Sequence, residues 1–218
     1  YVFSRNYHLI RSRNINAPLC PSGEACPVND PIALQALRPD PTQGNLYQYE
    51  SSGFTKDQRL IFRVSTRFSQ NFSLFANYFL ASAEGNTNGA GGGFFRRGGG
   101  GFSTGGFPAY SYDLSDEYSN TLSDVRHTFF LIGSIKAPFG INVRPFIVGR
   151  SGVPFDITTG TDLNGDSIFN DRPTFGQLGT ACVQNGITAS WCDVTGYDLD
   201  EIIPRNFGRG PGSFTANL

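Results

Sequence analysis

Residues 60–80 read LIFRVSTRFSQNFSLFANYFL, and this stretch decides the fold. Its first half alternates a mostly apolar set with a set that carries two arginines, namely Leu60, Phe62, Val64, Thr66 and Phe68 against Ile61, Arg63, Ser65, Arg67 and Ser69. The second half repeats this period of two, with one side formed by Phe72, Leu74, Ala76, Tyr78 and Leu80. Such alternation is typical of half-buried β-strands. Because only Gln70 and Asn71 separate the halves, we expect a hairpin with a tight turn.

A second hairpin is predicted between residues 125 and 151. Its first strand has an alternating set made of His127, Phe129, Leu131, Gly133 and Ile135, and a turn follows at residues 137–140. Pro145 weakens the returning strand, since proline cannot donate to a ladder. We therefore expect an all-β fold of antiparallel hairpins, with strands near 57–69, 71–82, 125–137 and 141–151 and parts of two more at 1–8 and 212–218.

The composition agrees with a folded β protein. The chain has 218 residues, is 39% hydrophobic and carries a formal charge of -1, so it is too apolar for a disordered tail and too neutral for electrostatic binding of nucleic acid. Its 20 Phe, 9 Tyr, 27 Gly and 13 Pro favour strands and turns. No apolar run approaches the roughly 18 residues of a membrane helix. With no Met and no leader, the chain is interpreted as a processed product or a fragment.

The connections between the predicted strands differ greatly in length. Short turns alternate with long loops at about 9–56, 83–124 and 152–211, which ordinary compact domains rarely contain. Outer-membrane β-barrels have short periplasmic turns, long extracellular loops and strands of about 9 to 11 residues. We therefore predict that residues 1–218 are one segment of such a barrel, with the apolar faces toward lipid and a lumenal set consisting of Arg63, Arg67, Asn77, Arg144 and Arg150. A soluble sandwich whose apolar faces meet is the alternative.

The four cysteines form two local pairs, Cys20 with Cys26 and Cys182 with Cys192. Neither pair has the spacing of a zinc site. Short disulfides within loops are the preferred interpretation over free thiols, and they indicate an oxidising compartment such as the periplasm or the cell surface.

Four short motifs occur in order over about residues 55–218. They are Asp124-Val-Arg-His-Thr-Phe129 with Pro138-Phe-Gly140, Ser151-Gly-Val-Pro-Phe155, Asp162-Leu-Asn-Gly-Asp166 with Asn170-Asp-Arg-Pro173, and Arg205-Asn-Phe-Gly-Arg-Gly-Pro211. In this order they resemble the Oar-like group of TonB-dependent outer-membrane receptors. The resemblance implies a plugged barrel of about 22 strands that imports large or scarce nutrients with energy delivered through TonB.

This resemblance leads to specific expectations about partners and location. No plug domain or TonB box is recognisable in these residues, and about six strands do not close a barrel, for which eight is the usual minimum. The chain is therefore expected to be a late barrel section in the bacterial outer membrane. Its partners would be membrane lipid, the TonB system through other parts of the protein, and an unknown nutrient. The alternative function is that of a secreted β-rich structural or binding protein, with or without stabilisation by calcium.

Residues 162–173, here called the carboxylate loop, are the one candidate metal site. The candidate oxygen ligands are Asp162, Asn164, Asp166, Asn170 and Asp171. Oxygens at the first, third and fifth positions resemble a calcium loop, but Ser167 stands where an EF-hand has Gly and Pro173 where it has Glu. A network of Asx turns explains the same residues without metal, and Arg172 can pair with a carboxylate. Under either hypothesis we expect an ordered structural loop at the extracellular end, not a substrate-contact site.

Two other segments allow either a functional or a purely structural interpretation. The first contains three tyrosines close to acidic residues that include Glu117, namely Tyr110, Tyr112 and Tyr118. This pattern predicts either a ligand-contacting face or a loop that packs on its neighbours. Residues 91–102 mix Gly, Arg and Phe as RNA-binding tails do, but a single cluster in a chain that is not basic favours a surface loop. No GxSxG, HExxH or phosphate-loop motif is present, so we expect neither an enzyme nor a nucleic-acid partner.

Overall fold

The structure, a computed structural model, describes residues 1–20, 26–69, 71–88 and 106–218. Within these ranges the strands, in chain order, are β1 (Val2–Asn14), β2 (Tyr47–Ser69), β3 (Phe72–Gly85), β4 (Ser119–Asn120), β5 (His127–Lys136), β6 (Asn142–Val143), β7 (Phe146–Arg150), β8 (Pro154–Phe155), β9 (Gly208–Arg209) and β10 (Ser213–Asn217). The helices are α1 (Pro31–Ala36) and α2 (Phe175–Gln184).

Six of the strands form the path of one large antiparallel sheet. Their order across it is β1-β2-β3-β5-β7-β10, while β4 and β6 pair beside this path with β3 and β5. β8 and β9 form a separate two-stranded sheet. The prediction of an all-β fold built from antiparallel hairpins is confirmed.

One face of the large sheet is apolar across four strands. Val64 lies opposite Ala76, Ala76 opposite Leu131, and Leu131 opposite Ile147, so this row of side chains shares a face. By the same registers, the apolar face comprises Leu60, Phe62, Val64, Leu74, Tyr78, Leu80, Phe129, Leu131, Ile135 and Ile147. Phe62 and Val64 are each 55% exposed, and none of the ten is buried. The predicted outward set shares one face and does not form the interior of a sandwich.

The opposite face mixes arginine and asparagine with aromatic side chains such as Phe75 and Phe130, whose ring centroids are 6.3 Å apart. Arg63 Nε donates to Asn77 Oδ1 across the β2–β3 pair at 3.0 Å. Arg67 pairs with Ser73 and Arg150 with Thr128, which places both arginines on this face as expected. Arg144 lies in the break between β6 and β7, so the ladder does not assign it to a face.

The ends of the strands differ from the sequence-based expectation. β1 continues to Asn14 and β2 begins at Tyr47, so the first connection covers 15–46 and not 9–56. The expected 83–124 loop begins only after Gly85, and the 152–211 loop contains β8, α2 and β9. The ends of β1 and β2 nearest the long connections, residues 11–14 and 47–50, carry polar side chains on both faces. No alternation of apolar residues therefore marks these ends as strands. Their ladder and ion pairs such as Arg13 Nε to Glu50 Oε2, at 3.1 Å, hold them together.

Pro145 has the effect that its backbone chemistry predicts. The returning strand divides into β6 and β7 on either side of residues 144–145. Gly133 N donates to the Pro145 carbonyl at 2.9 Å, and a Cβ on Gly133 would lie 3.0 Å from the Pro145 ring. Glycine at position 133 therefore lets the interrupted strand approach β5 closely.

The buried apolar core lies in the last long connection and not in the sheet. Its buried members are Phe175, Leu178, Cys182 and Ile203. Helix α2 begins at a capping box in which Thr174 and Gln177 satisfy each other's backbone amides. Among the described residues, no helix is both long and apolar enough to cross a membrane.

Both predicted disulfides are present. Cys20 is bonded to Cys26 and Cys182 to Cys192, each within one long connection. Cys182 is buried in the apolar core and Cys192 packs against it. The second bond therefore joins α2 to the following 3-10 turn at Ser190–Cys192.

Replacing Cys182 and Cys192 together by Ala should loosen this core without disturbing the sheet. Closing a loop of about ten residues is worth about 2 to 3 kcal/mol. Amide exchange in residues 175–203 should accelerate, while exchange in β2 and β3 stays the same. The matched variant lacking Cys20 and Cys26 should leave residues 175–203 unaffected. If exchange in residues 175–203 does not change in the variant lacking Cys182 and Cys192, the apolar contacts alone keep this core ordered.

Candidate functional site

The three long connections of the sheet leave from the same end. They are residues 15–46, 86–126 and 151–212, whereas the short turns after β2 and β5 lie at the opposite end. Gln70, in the first short turn, lies outside the described residues, as do residues 91–102 of the Gly/Arg/Phe cluster. The described parts of the three connections contact one another through polar side chains, and the carboxylate loop provides many of these contacts.

The carboxylate loop is held by its own side chains. Asp162 accepts from Gly165 N at 2.7 Å through Oδ1 and from Ser167 N at 2.8 Å through Oδ2. Asn164 Oδ1 accepts from Asp166 N at 3.0 Å. Both Gly165 and Ser167 have positive φ, at 74° and 65°. This is a network of Asx turns, the arrangement predicted in the absence of metal.

Asp166 and Asp171 are the buried carboxyls of the loop. Asp171 Oδ2 accepts from Leu163 N at 2.8 Å, and Asp166 Oδ1 from Ile168 N at 2.8 Å. Asp166 is 0% exposed, and its Oδ2 has no hydrogen-bond partner among the described residues. Burial, reinforced by the charges of Asp162 and Asp171, raises the pKa of Asp166 to about 7. Burial also raises the pKa of Asp171.

The two asparagines of the loop bind the middle connection. Asn164 Nδ2 donates to the Ala109 carbonyl at 2.7 Å, and Asn170 Nδ2 donates to the carbonyls of Phe107 and Pro108 at 3.1 Å each. These amides therefore hold residues 107–109 against the carboxylate loop.

Side chains of the first connection contact the backbone of the carboxylate loop. Asn45 Nδ2 donates to the Asp166 carbonyl at 2.8 Å, and Arg38 Nη2 donates to the Gly165 carbonyl at 3.3 Å. Cys26 Sγ lies 3.2 Å from the Asn164 carbonyl oxygen, and since a disulfide sulfur carries no hydrogen, this is a packing contact. All three long connections thus meet at residues 162–171.

A buried ionic group, here called the Glu117 cluster, consists of Glu117, Arg172 and Arg205. Arg172 Nη1 donates to Glu117 Oε1 at 3.0 Å, and Arg205 Nε lies 3.9 Å from Oε2. Glu117 is 3% exposed and also accepts from Ala109 N at 3.0 Å. Burial lowers the pKa of Arg205, and the charge of Glu117 opposes that effect. Arg172 does pair with a carboxylate, but with one 55 residues away.

A second buried carboxylate connects the sheet to the last connection. Asp124, 0% exposed, accepts from Ala83 N at 3.0 Å and from Arg209 Nη2 at 2.5 Å. Arg209 Nη1 also donates to the Asp124 and Gly152 carbonyls at 2.8 and 3.1 Å. The contact therefore joins β3, the residues before β5 and strand β9.

The tyrosines of the middle connection pack against neighbouring segments. Tyr112 donates to the Ala17 carbonyl at 2.8 Å, and Tyr118 donates to Glu84 Oε2 at 2.7 Å. Tyr118 also stacks on Phe54 with ring centroids 5.5 Å apart. These contacts favour the interpretation of a packed loop for Tyr112 and Tyr118.

The open cavities of the described part of the chain lie away from the carboxylate loop. No group of three or more His, Cys, Asp or Glu side chains there is placed to hold a metal ion. Two open cavities of about 340 and 350 Å³ lie against the sheet, and their charged lining residues are Asp57 in one and Arg67 in the other. Neither is lined by the carboxylate loop.

Comparison with known proteins gives one family and no individual relative. The model of a family described as an outer membrane beta barrel domain matches residues 1–218. Neither the curated proteins nor the solved structures contain a significant match.

Proposed function

The chain belongs to the outer membrane beta barrel domain family, and from this premise we propose that it is a late section of the barrel of an Oar-like, TonB-dependent receptor that imports a nutrient. Its location is the bacterial outer membrane. This location removes the alternative of a secreted β-rich protein. The receptor type and the transport role extend the family assignment by means of the resemblance of four ordered motifs.

The open sheet is the observation that carries the proposal. β1 and β10 each pair with one strand in the described chain, which leaves the other edge of each without a ladder partner. In lipid, unpaired backbone amides and carbonyls cost several kcal/mol each, so a spanning sheet must close. Six strands fall short of the usual minimum of eight. We therefore infer that further strands cover both edges and complete a larger barrel.

The two faces and two ends of the sheet fit this arrangement. The apolar face has no covering layer in the described residues, as expected for contact with lipid. The long connections lie at one end, which corresponds to the extracellular side of a barrel, and they form one polar, internally bonded layer. We propose that this layer supports the outer surface of the receptor and that the chain itself catalyses no reaction.

A binding experiment tests the receptor assignment. The natural protein that contains residues 1–218 is purified from outer membranes in detergent and passed over immobilised TonB C-terminal domain, with a porin from the same membrane as the negative control. We expect retention that soluble TonB domain competes away, and a polypeptide long enough for about 22 strands. A closed barrel of eight to ten strands, or a large barrel that the TonB domain does not retain, would exclude the receptor proposal.

A further inference from the structure

Two buried oxygen atoms of the carboxylate loop lack a donor in the described part of the chain. They are Asp166 Oδ2 and Asn170 Oδ1. Asp166 is 0% and Asn170 7% exposed, so bulk water does not replace the missing donors. An orphaned oxygen in a buried position requires an explanation, and a bound ion is one. Each residue uses its remaining polar atom in a hydrogen bond, which fixes the side chain.

The surroundings of Asp166 are negatively charged. Asp162 and Asp171 lie close enough for their charges to act on Asp166. Two arginines of the packed connections form other contacts, since Arg38 donates to the Gly165 carbonyl and Arg172 to Glu117. No cationic side chain among the described residues bonds to the Asp166 carboxyl group. Three carboxyl groups and an orphaned amide oxygen therefore share one short loop.

The backbone already holds the loop in a compact turn. Asp162 binds the amides of Gly165 and Ser167, and Ser167 adopts positive φ at the position where a calcium loop of the EF-hand type has its glycine. This shape alone is not a site. Together with the orphaned carboxylate oxygen of Asp166, it gives a turn that presents an oxygen of the hard type that calcium prefers.

We propose that the carboxylate loop binds one Ca²⁺ ion, with Asp166 Oδ2 as a direct ligand and Asn170 Oδ1 as the second orphaned oxygen available to the ion. Since no three acidic side chains of the described chain are arranged to hold a metal, amide, carbonyl and water oxygens complete the coordination. Calcium accepts this, because it takes six to eight oxygen ligands in flexible geometry. The ion would stabilise the point where the three long connections meet. The proposal is independent of TonB and of transport.

The test compares two substitutions of aspartate by asparagine. The natural protein in detergent is stripped with EGTA and titrated with CaCl₂, and amide exchange of residues 163–168 is measured with and without Ca²⁺. The variants are Asp166→Asn, at the proposed ligand, and Asp200→Asn, at an exposed residue of the same connection. Exchange in β2 and β3 verifies that each variant is folded.

We expect Ca²⁺ to slow exchange of residues 163–168 at least tenfold in the unsubstituted protein and in Asp200→Asn, and to have little effect in Asp166→Asn. The calorimetric affinity of this site should fall at least tenfold in Asp166→Asn. The proposal is wrong if Ca²⁺ does not change the exchange of residues 163–168 in the unsubstituted protein. It is also wrong if Ca²⁺ slows this exchange equally in Asp166→Asn and in the unsubstituted protein.

Discussion

Replacing Glu117 by Gln should destabilise the layer of long connections by about 3 to 5 kcal/mol. The substitution keeps the shape of the side chain but leaves Arg172 and Arg205 buried without their counter-charge, and breaking one partner of a buried pair has a cost of this size. At about 1.4 kcal/mol per tenfold change, local amide exchange in residues 106–117 and 163–171 should accelerate by about a hundredfold or more. Hydrogen exchange followed by mass spectrometry measures this effect.

Glu201→Gln is the matched control for that experiment. Glu201 is exposed and lies in the same connection as Arg172, so the change in charge is identical but no buried arginine loses a partner. Exchange in this variant should equal that of the unsubstituted protein. Equal exchange in Glu117→Gln as well would mean that the Glu117 cluster contributes nothing to the order of the layer.

Replacing Leu131 by Arg should destabilise the barrel by about 2 to 4 kcal/mol. Leu131 lies in the middle of the apolar face, between Ala76 and Ile147, and an arginine on the lipid face near the bilayer midplane has this cost. Ile132 follows on the opposite face and is 41% exposed, so Ile132→Arg should have a much smaller effect. Urea titration of the refolded natural protein in lipid vesicles compares the two variants. Equal losses would contradict the assignment of the faces.

The parts of the fold that could be predicted from the sequence are those where lipid imposes a pattern. Along residues 60–80 and 127–135, alternate side chains face different environments, and the period of two follows directly. Toward the long connections, β1 and β2 continue with polar residues on both faces, such as Arg13 on one face and Ser12 on the other, so the period disappears while the ladder persists. The expected loop at 9–56 was therefore too long.

Whether a contact of the candidate site could be predicted depends on how far apart its two residues lie in the sequence. The turns inside the carboxylate loop are local and were predicted, because Asp162 and Asn164 bond amides two to five residues ahead. Glu117 meets Arg172 from 55 residues away, and Asp124 meets Arg209 from 85 residues away. No local pattern marks such pairs, so the sequence identified Glu117 only as an acidic loop residue. Its place in a segment of tyrosines and acidic residues was the one available signal.

The membrane-spanning sheet is the central claim, and the accessibility of β5 to lipid and to water tests it most directly. Spin labels at single cysteines introduced one at a time at residues 128–132, 134 and 135 of the natural protein in lipid vesicles report collisions with oxygen, which concentrates in lipid, and with a water-soluble nickel chelate. We predict high oxygen accessibility at positions 129, 131 and 135, and lower values at 128, 130, 132 and 134. Accessibility without a period of two, or nickel accessibility greatest at 129 and 131, would contradict the account.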